Sequence, residues 1–359
     1  MCRPGRCARV AGVLLAAALI PTIAAPQDHV TLRSNALFYG DNTEFHNPFR
    51  EGETIFGAAV RIVANIDVNG RVTLTAGAFA NQRFGSENAF EQVRPVLSLT
   101  VRGRRSAFIF GALPPQTSAI PPGPDRAGPH GLLPPLQRET LAYDRPLENG
   151  LAWNFEGVRV KEHFWLAWHQ LNTPNHRERF DGGIDASLQA SEHVTIPVQV
   201  HVVHQGGQLY ASGPVSDSAA AAVGIDLHRT WAGRYRAGVE MYGLGSRYVP
   251  DRSRGDLSRD GIAGFARASA EWPGWRAHVI FTRGRNFITD EGDRNYLAIR
   301  RDGVRYRGIR DYAESGLARR FSLGTNAMIE ASARVHRIED HYEYSFRILS
   351  IVAPSWKIR

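Results

Sequence analysis

From residue 31 onward, apolar and polar side chains alternate in segments of about ten residues. In residues 194–202 and 327–336, for example, an apolar side chain occupies every second position. Side chains of a β-strand point alternately to the two faces of a sheet, so this period predicts strands with one apolar and one polar face. The polar faces repeatedly carry full charges. A soluble β-sandwich can show the same alternation, so the period alone does not choose between a sandwich and a barrel.

The lengths of the connections between these segments favour a barrel. Short links, such as residues 66–70 and 272–274, alternate with longer ones, such as residues 81–92 and 205–218. This is the pattern of a transmembrane antiparallel up-and-down β-barrel with short periplasmic turns and long extracellular loops. We predict an all-β fold of about 16 strands, with a range of 12–18. The predicted first strand is Thr31–Tyr39, the last is Tyr342–Val352, and Arg294–Arg300 is either an extra strand or part of a long loop.

The N-terminus has the features of a secretory signal peptide. Arg3, Arg6 and Arg9 form a positive segment, the apolar residues 10–20 follow, and small residues precede Pro26. We predict cleavage after Ala24, which gives a signal peptide over 1–24 and one β-barrel over 25–359. Both cysteines lie at positions 2 and 7, so the mature chain would contain neither disulfides nor thiolate metal ligands.

No later apolar run reaches the roughly 20 residues that a transmembrane helix requires. A membrane-spanning form of this chain would therefore have to be a closed barrel, because lipid offers no partners to backbone polar groups. Aromatic residues support the membrane interpretation, since Trp153, Trp231, Trp272 and Trp275 lie near strand ends beside short links. Such positions are typical of the aromatic girdles at the two membrane interfaces.

Together these features resemble a Gram-negative outer-membrane porin-type β-barrel. The resemblance is architectural and covers residues 31–359; the final strand Tyr342–Val352 is similar to the C-terminal assembly signal of such proteins, although the chain ends in Trp356-Lys357-Ile358-Arg359. It implies an outer-membrane location in a Gram-negative-type bacterium. It also implies the lipid bilayer, lipopolysaccharide, small solutes and the barrel assembly machinery as partners. No oligomeric state follows from it.

The formal net charge is +8, which falls to about +5 when the three arginines of the signal peptide are removed. No basic run or stacking motif accompanies this charge, so we predict no nucleic-acid partner. Inward-facing charges of a barrel select solutes by sign, and arginine suits anionic or sugar-acid ligands. The alternative is that these charges pair across strands and only fill the interior. The predicted pore-lining residues are Arg61, Arg94, Glu156, Asp185, Arg234, Arg236, Glu240, Arg267, Glu330, Arg334 and Arg347.

A proline-rich stretch, Leu113–Pro135, interrupts the strand pattern in the third long connection. General porins fold their third extracellular loop into the lumen. The resemblance therefore implies a constriction formed by Asp125, Arg126 and His130, whereas a semi-rigid loop that projects outward is the alternative.

Sequence motifs of enzymes are absent from this chain: it has no Gly-x-Ser-x-Gly elbow, P-loop or His-Glu-x-x-His helix. We predict no cofactor, no metal site and no catalytic residues. The favoured function is a porin-like channel for passive or weakly selective passage of small solutes. The alternatives are an export or binding barrel of a polysaccharide or envelope system, a soluble β-protein, and a barrel lipid hydrolase with His228 and Ser187 as candidate participants.

Overall fold

The computed structural model describes residues 29–114 and 128–358. The predicted signal peptide, Asp125 and Arg126 lie outside these residues. The strands are β1 His29–His46, β2 Glu51–Val68, β3 Val72–Arg83, β4 Gln92–Arg102, β5 Ser106–Leu113, β6 Glu148–Glu156, β7 Val160–Gln170, β8 Glu178–Ser191, β9 Val194–Gly206, β10 Ser216–Trp231, β11 Tyr235–Val249, β12 Arg259–Trp272, β13 Trp275–Arg285, β14 Ile309–Ser322, β15 Ala327–Ile338, β16 His341–Val352 and β17 Ser355–Lys357. The short helix α1 spans Leu141–Asp144, and 3₁₀ turns span Gly255–Leu257 and Arg294–Tyr296.

The first sixteen strands form one closed antiparallel barrel, as the sequence predicts. Each strand pairs with its sequence neighbours, and β1 pairs with β16 from Ala36↔Val352 to Glu44↔Tyr344. The short β17 follows Pro354 and extends the same edge along the beginning of β1. Closure leaves no unpaired edge, which is why such a sheet is stable in lipid.

The two ends of the barrel differ as the connection lengths predict. At one end, called the turn end, tight connections join the strands. One of them is Asn69-Gly70, where both residues have positive φ. Two-residue hairpin turns with positive φ at both positions favour the sequence Asn-Gly. At the opposite, loop end, the long connections include residues 114–147 and 286–308. Among the described residues, no helix is long and apolar enough to span a membrane.

Several predicted boundaries are wrong. The first strand continues to His46 and the second begins at Glu51, so residues 40–52, which the sequence pattern predicts as the first long connection, consist mostly of strand. Of the two alternatives for Arg294–Arg300, the long loop is confirmed, since the segment contains a 3₁₀ turn and one isolated bridge, Ile299↔Arg305. The polar and glycine residues that suggested loops are tolerated because long strands extend beyond the apolar band.

Two loop segments fold into the barrel: inner loop A, residues 128–147, and inner loop B, residues 286–299. Their side chains are almost fully buried, including Leu133, Leu136 and Ile288, which have 0% exposure. They pack against inward-facing side chains of strands from both halves of the barrel, such as Trp165 and Tyr312. The outward faces are apolar and exposed, as expected of a surface that contacts lipid. The loop-end half of the lumen is therefore filled by protein.

Candidate active site

A serine and a histidine form a hydrogen bond on the inner wall of the last hairpin. The tight turn between β15 and β16 places His336 opposite Glu343, and Ser345 lies two residues further along the same face. Ser345 Oγ is 2.8 Å from His336 Nε2, and both side chains are buried. A serine hydroxyl bound to an imidazole is the arrangement that activates a nucleophile.

The other nitrogen of His336 is held by β14. His336 Nδ1 lies 2.8 Å from the hydroxyl oxygen of Tyr312 and 3.3 Å from Glu314 Oε2. Tyr312 donates its own proton to Glu314, so its oxygen accepts the proton of Nδ1. This pattern assigns the tautomer in which Nε2 is free to accept the proton of Ser345. The chain Ser345–His336–Tyr312–Glu314 thus has the polarity that general-base catalysis requires.

Two arginines of the same wall connect this site to inner loop A. Arg334 lies directly opposite Ser345 in the β15–β16 register and donates to Glu139 Oε2 at 2.9 Å. Arg347 donates to Glu139 as well and to Asp41 Oδ2 at 2.7 Å. Burial by itself would raise the pKa of Glu139, but the guanidinium groups of Arg334 and Arg347 hold that pKa below its ordinary value. Glu139 is therefore ionised at neutral pH.

The end of the first hairpin closes the site at the loop end of the barrel. The ring of Phe45 contacts His336 edge-on, with ring centroids 5.0 Å apart. Glu343 Oε1 accepts from the backbone of His46 at 3.1 Å and from the side chain of Asn47 at 3.4 Å. Ser345 is only 4% exposed, so a large substrate can reach it only after these side chains move.

A second polar cluster surrounds Arg145 at the end of inner loop A. Its guanidinium donates to Glu148, Asp181 and Glu291 at 2.7–3.0 Å. Burial disfavours the charged guanidinium, but these carboxylates raise the pKa of Arg145, so it stays protonated. His201 Nε2 lies 3.4 Å from Asp181 in the same cluster. The cluster ties both inner loops to the wall of the barrel.

His130, a predicted constriction residue, lies inside the lumen beside this cluster. Its Nε2 is 2.6 Å from Glu148 Oε2, and its Nδ1 is 3.1 Å from His163 Nε2. Its ring stacks on Trp165 with centroids 3.9 Å apart. Because of these contacts, His130 is part of the packed interior of the barrel beside the Arg145 cluster. Its predicted partners Asp125 and Arg126 are outside the described residues.

Six of the predicted pore-lining residues make polar contacts inside the barrel. These contacts are Asp185 with Gln199, Arg267 with Glu240 (both predicted), Glu330 with Arg276 and Arg320, Arg334 with Glu139, and Arg347 with Asp41 and Glu139. Arg94, Glu156 and Arg236 are exposed near strand ends, and Arg234 lies in the turn between β10 and β11 rather than in a strand.

Arg61 lines a cavity of about 580 Å³ on the side of β1–β5, where the inner loops leave space. The cavity is bounded by Arg33, Arg102 and Asp67 and by Tyr143 of inner loop A. Apolar side chains such as Leu37, Val63 and Ile351 complete its lining.

Sequence reasoning missed the Ser345–His336 pair. The Ser187 and His228 candidates lie on different strands, and within the described part of the chain no hydrogen bond joins them; His228 instead lies 3.4 Å from Asp226. The feature of the sequence that could have revealed this pair is the tight turn at residues 339–340. A two-residue turn determines the hairpin register, which puts His336 next to Ser345.

A family profile for the lipid A 3'-O-deacylase type matches residues 23–359 of this chain. The chain belongs to this family. The prediction that the protein is not an enzyme is therefore wrong, because the family is one of enzymes. The error has a physical cause: barrel enzymes assemble their sites from single inward-facing residues on separate strands, and these leave no contiguous motif.

Solved outer-membrane barrels share the fold of this deacylase-family chain. One is the loop L8 deletion mutant of OmpT, an outer membrane protein of Vibrio cholerae, with 11% identity, a TM-score of 0.53 and coverage of 91% of this chain and 99% of that chain. Another is OccAB1 of Acinetobacter baumannii, with 8% identity, a TM-score of 0.52 and coverage of 93% and 97%. At these identities the likeness concerns the fold alone. No curated protein matches the sequence.

Proposed function

We propose that this protein is an outer-membrane hydrolase that removes an acyl chain from a lipid A-type glycolipid, with Ser345 as the nucleophile. The observation that carries the proposal is the chain Ser345–His336–Tyr312–Glu314 in a member of a lipid A 3'-O-deacylase-type family. The bilayer and lipopolysaccharide would then be its partners, and the barrel assembly machinery would insert it in the outer membrane of a Gram-negative-type bacterium.

The proposed reaction is acyl transfer through Ser345. Its Oγ attacks the ester carbonyl carbon while His336 Nε2 takes the hydroxyl proton. The carbon–oxygen bond to the sugar then breaks, and His336 returns the proton to the leaving alcohol. Water next attacks the acyl-serine with His336 as base, which releases a fatty acid and restores Ser345. Arg334, opposite Ser345, is placed to stabilise the charge of the tetrahedral intermediates.

The charge of the loop end supports a phosphorylated glycolipid as substrate. Residues 300–307 of the β13–β14 connection expose Arg300, Arg301, Arg305 and Arg307 at the same end of the barrel as Ser345. Guanidinium groups bind phosphate with two parallel hydrogen bonds. These four arginines would bind the phosphorylated headgroup of the glycolipid while its acyl ester approaches Ser345 on the inner wall.

The direct test is hydrolysis of lipid A with labelled acyl chains in mixed micelles. We expect fatty acid release by the wild type and a loss of about 10³-fold or more in Ser345→Ala. A transient acyl adduct on the intact wild-type protein should be seen by mass spectrometry. Ser332→Ala, on the inward face of β15, is the matched control and should retain the rate. A wild type that is inactive on lipid A, or a Ser345→Ala variant with full activity, would contradict the proposal.

A second candidate is a channel for small anionic or sugar-like solutes, which the arginine-bounded cavity near Arg61 favours. Passage through the loop end would require the inner loops to move, because they fill the lumen there. Reconstitution in planar bilayers tests it. Discrete conductance steps of the full-length wild type would support solute passage. A wild type that inserts into the bilayer without producing such steps would count against it.

A further inference from the structure

One triad of potential metal ligands beside Arg145 has unsatisfied donor atoms. Glu148, His169 and Asp181 each offer one atom, and these three atoms lie within 4.8 Å of one another. Within the described part of the chain, His169 Nε2 and Asp181 Oδ1 make no hydrogen bond, although both side chains are at least nine-tenths buried. The two atoms face each other without the geometry of a hydrogen bond. Buried polar atoms are costly unless their contacts are well made, so a group bound between them would stabilise both.

The distances fit ligands that share one small cation. His169 Nε2 and Asp181 Oδ1 are 3.3 Å apart, long for a strong hydrogen bond. Nitrogen and oxygen ligands about 2.0–2.2 Å from a tetrahedral zinc ion lie about 3.3–3.5 Å from each other. The pair is therefore spaced as two neighbouring ligands of such an ion.

The backbone of β7 directs the side chain of His169 toward Glu148 and Asp181. The β7–β8 register shifts between Trp168 and Gln170, so His169 is the extra residue of a β-bulge. Bulges re-aim single side chains and are frequent next to functional sites. His169 lies on the same inward face of β7 as the buried Trp165 and Ala167, and the bulge adds one residue to the strand at this point.

Neighbouring groups complete the environment of a cation. Glu148 is hydrogen-bonded to His130 at 2.6 Å and to Arg145 at 3.0 Å, and its oxygens keep further lone pairs. Carboxylates that bind metals are commonly held by such hydrogen bonds. The second group of potential ligands is Asp181, His201 and Glu291. There the histidine faces Asp181 Oδ2, which already accepts from Arg145, whereas His169 faces Oδ1.

The charges of the described ion pairs leave room for a divalent ion. Four carboxylates, those of Glu148, Asp181, Asp290 and Glu291, pair with two guanidinium groups, those of Arg145 and Arg179. The carboxylates outnumber these guanidinium groups by two, and the imidazoles of His130, His169 and His201 also lie against Glu148 and Asp181. A divalent cation would be attracted to the excess of carboxylates, and the imidazole ligand favours a first-row transition ion such as zinc over calcium.

We propose that Glu148, His169 and Asp181 bind one divalent transition-metal ion of the zinc type, which links the neighbouring strands β6, β7 and β8 beside the end of inner loop A. The proposal does not rest on the acyl hydrolase activity, and its test measures metal content and spectra rather than turnover.

The test uses the purified full barrel, equilibrated with zinc alone and passed over a chelating resin. We expect one zinc per chain by elemental analysis in the wild type, and less than a tenth of that in Asp181→Asn and His169→Gln. His204→Gln is the matched control, because His204 forms another histidine–aspartate pair, 2.7 Å from Asp217 and outside the cluster, and it should retain the ion. Heat-modifiable migration on a gel verifies that each variant is folded.

A second variant keeps the test decisive if His169→Gln fails to fold. The sequence has cysteine only at positions 2 and 7, so His169→Cys would introduce the single thiol of the mature chain. With cobalt alone, it should acquire a thiolate-to-cobalt charge-transfer band that the wild type lacks. A folded wild type that retains no zinc, zinc that is unaffected by Asp181→Asn, or absence of the band in folded His169→Cys would each overturn the proposal.

Discussion

At the scale of single residues, the surroundings of an arginine decide what it does. Arg145 is largely buried and contacts three buried carboxylates through all the nitrogens of its guanidinium. Arg247 pairs with Asp260 at 3.1 Å, but both side chains are mostly exposed, at 64% and 74%. Removal of one member of a buried network leaves uncompensated charge, whereas an exposed pair is screened by solvent.

We therefore predict that Arg145→Gln lowers the free energy of unfolding by about 3–5 kcal/mol. The matched change Arg247→Gln should cost less than about 1 kcal/mol. Urea unfolding in lipid vesicles, followed by tryptophan fluorescence, measures both. Similar losses in the two variants would mean that the Arg145 cluster contributes no more than a surface pair.

At the scale of elements, ion pairs near the middle and the end of inner loop A attach it to the barrel wall, in addition to its buried apolar side chains. Glu139 holds the middle through Arg334 and Arg347, and Arg145 holds the end. The pKa of Glu139 is depressed in the folded state from its ordinary value of 4.5. A depressed acid pKa stabilises docking above the ordinary value, and this contribution is lost as the pH falls through the folded value.

The contribution of Glu139 to the docking of residues 128–147 should therefore be constant between about pH 8 and 5 and weaken below the ordinary pKa of Glu139. Hydrogen exchange of this segment, corrected for the intrinsic effect of pH, measures the docking. Glu139→Gln should show faster exchange at pH 7 and a smaller acid transition. An unchanged transition in that variant would assign the acid sensitivity to other carboxylates.

At the scale of the whole molecule, the barrel wall and the inner loops that fill it are held together by different interactions. Closure depends on backbone pairing between β1 and β16, whereas the lumen is filled by side chains of the inner loops. The ends of the β13–β14 connection are bonded to each other: Asn286 donates to the carbonyl of Gly308 at 2.8 Å, and Gly308 donates to the side chain of Asn286 at 2.8 Å. The intervening residues can thus be removed without pulling the strands apart.

Replacement of residues 287–307 by a short Gly-Ser linker should leave a folded, heat-modifiable barrel with a more open lumen. We expect larger conductance steps in planar bilayers than for the wild type, because ions would cross where buried side chains now pack. Shortening of the exposed β9–β10 connection, residues 207–215, is the control and should not change conductance. Equal conductance of all three proteins would contradict a plug formed by inner loop B.

The amino-acid sequence was sufficient to predict the fold class, about sixteen strands and the face to which most strand residues point. These are local properties, because the period of two and the lengths of the connections act within one strand or one hairpin. It could not locate the ends of β1 and β2, since polar residues such as Thr43 and Glu53 are tolerated beyond the apolar band.

Only the tertiary structure decided what the inward residues do. Inner loops A and B enter the lumen because their apolar side chains find partners there, and their charges meet arginines from distant strands, such as Arg347 with Asp41 and Glu139. Ser345, His336 and Glu314 become neighbours through the register of three strands. The alternation of side chains specifies which way each points, but the partner across the lumen depends on how the whole barrel closes.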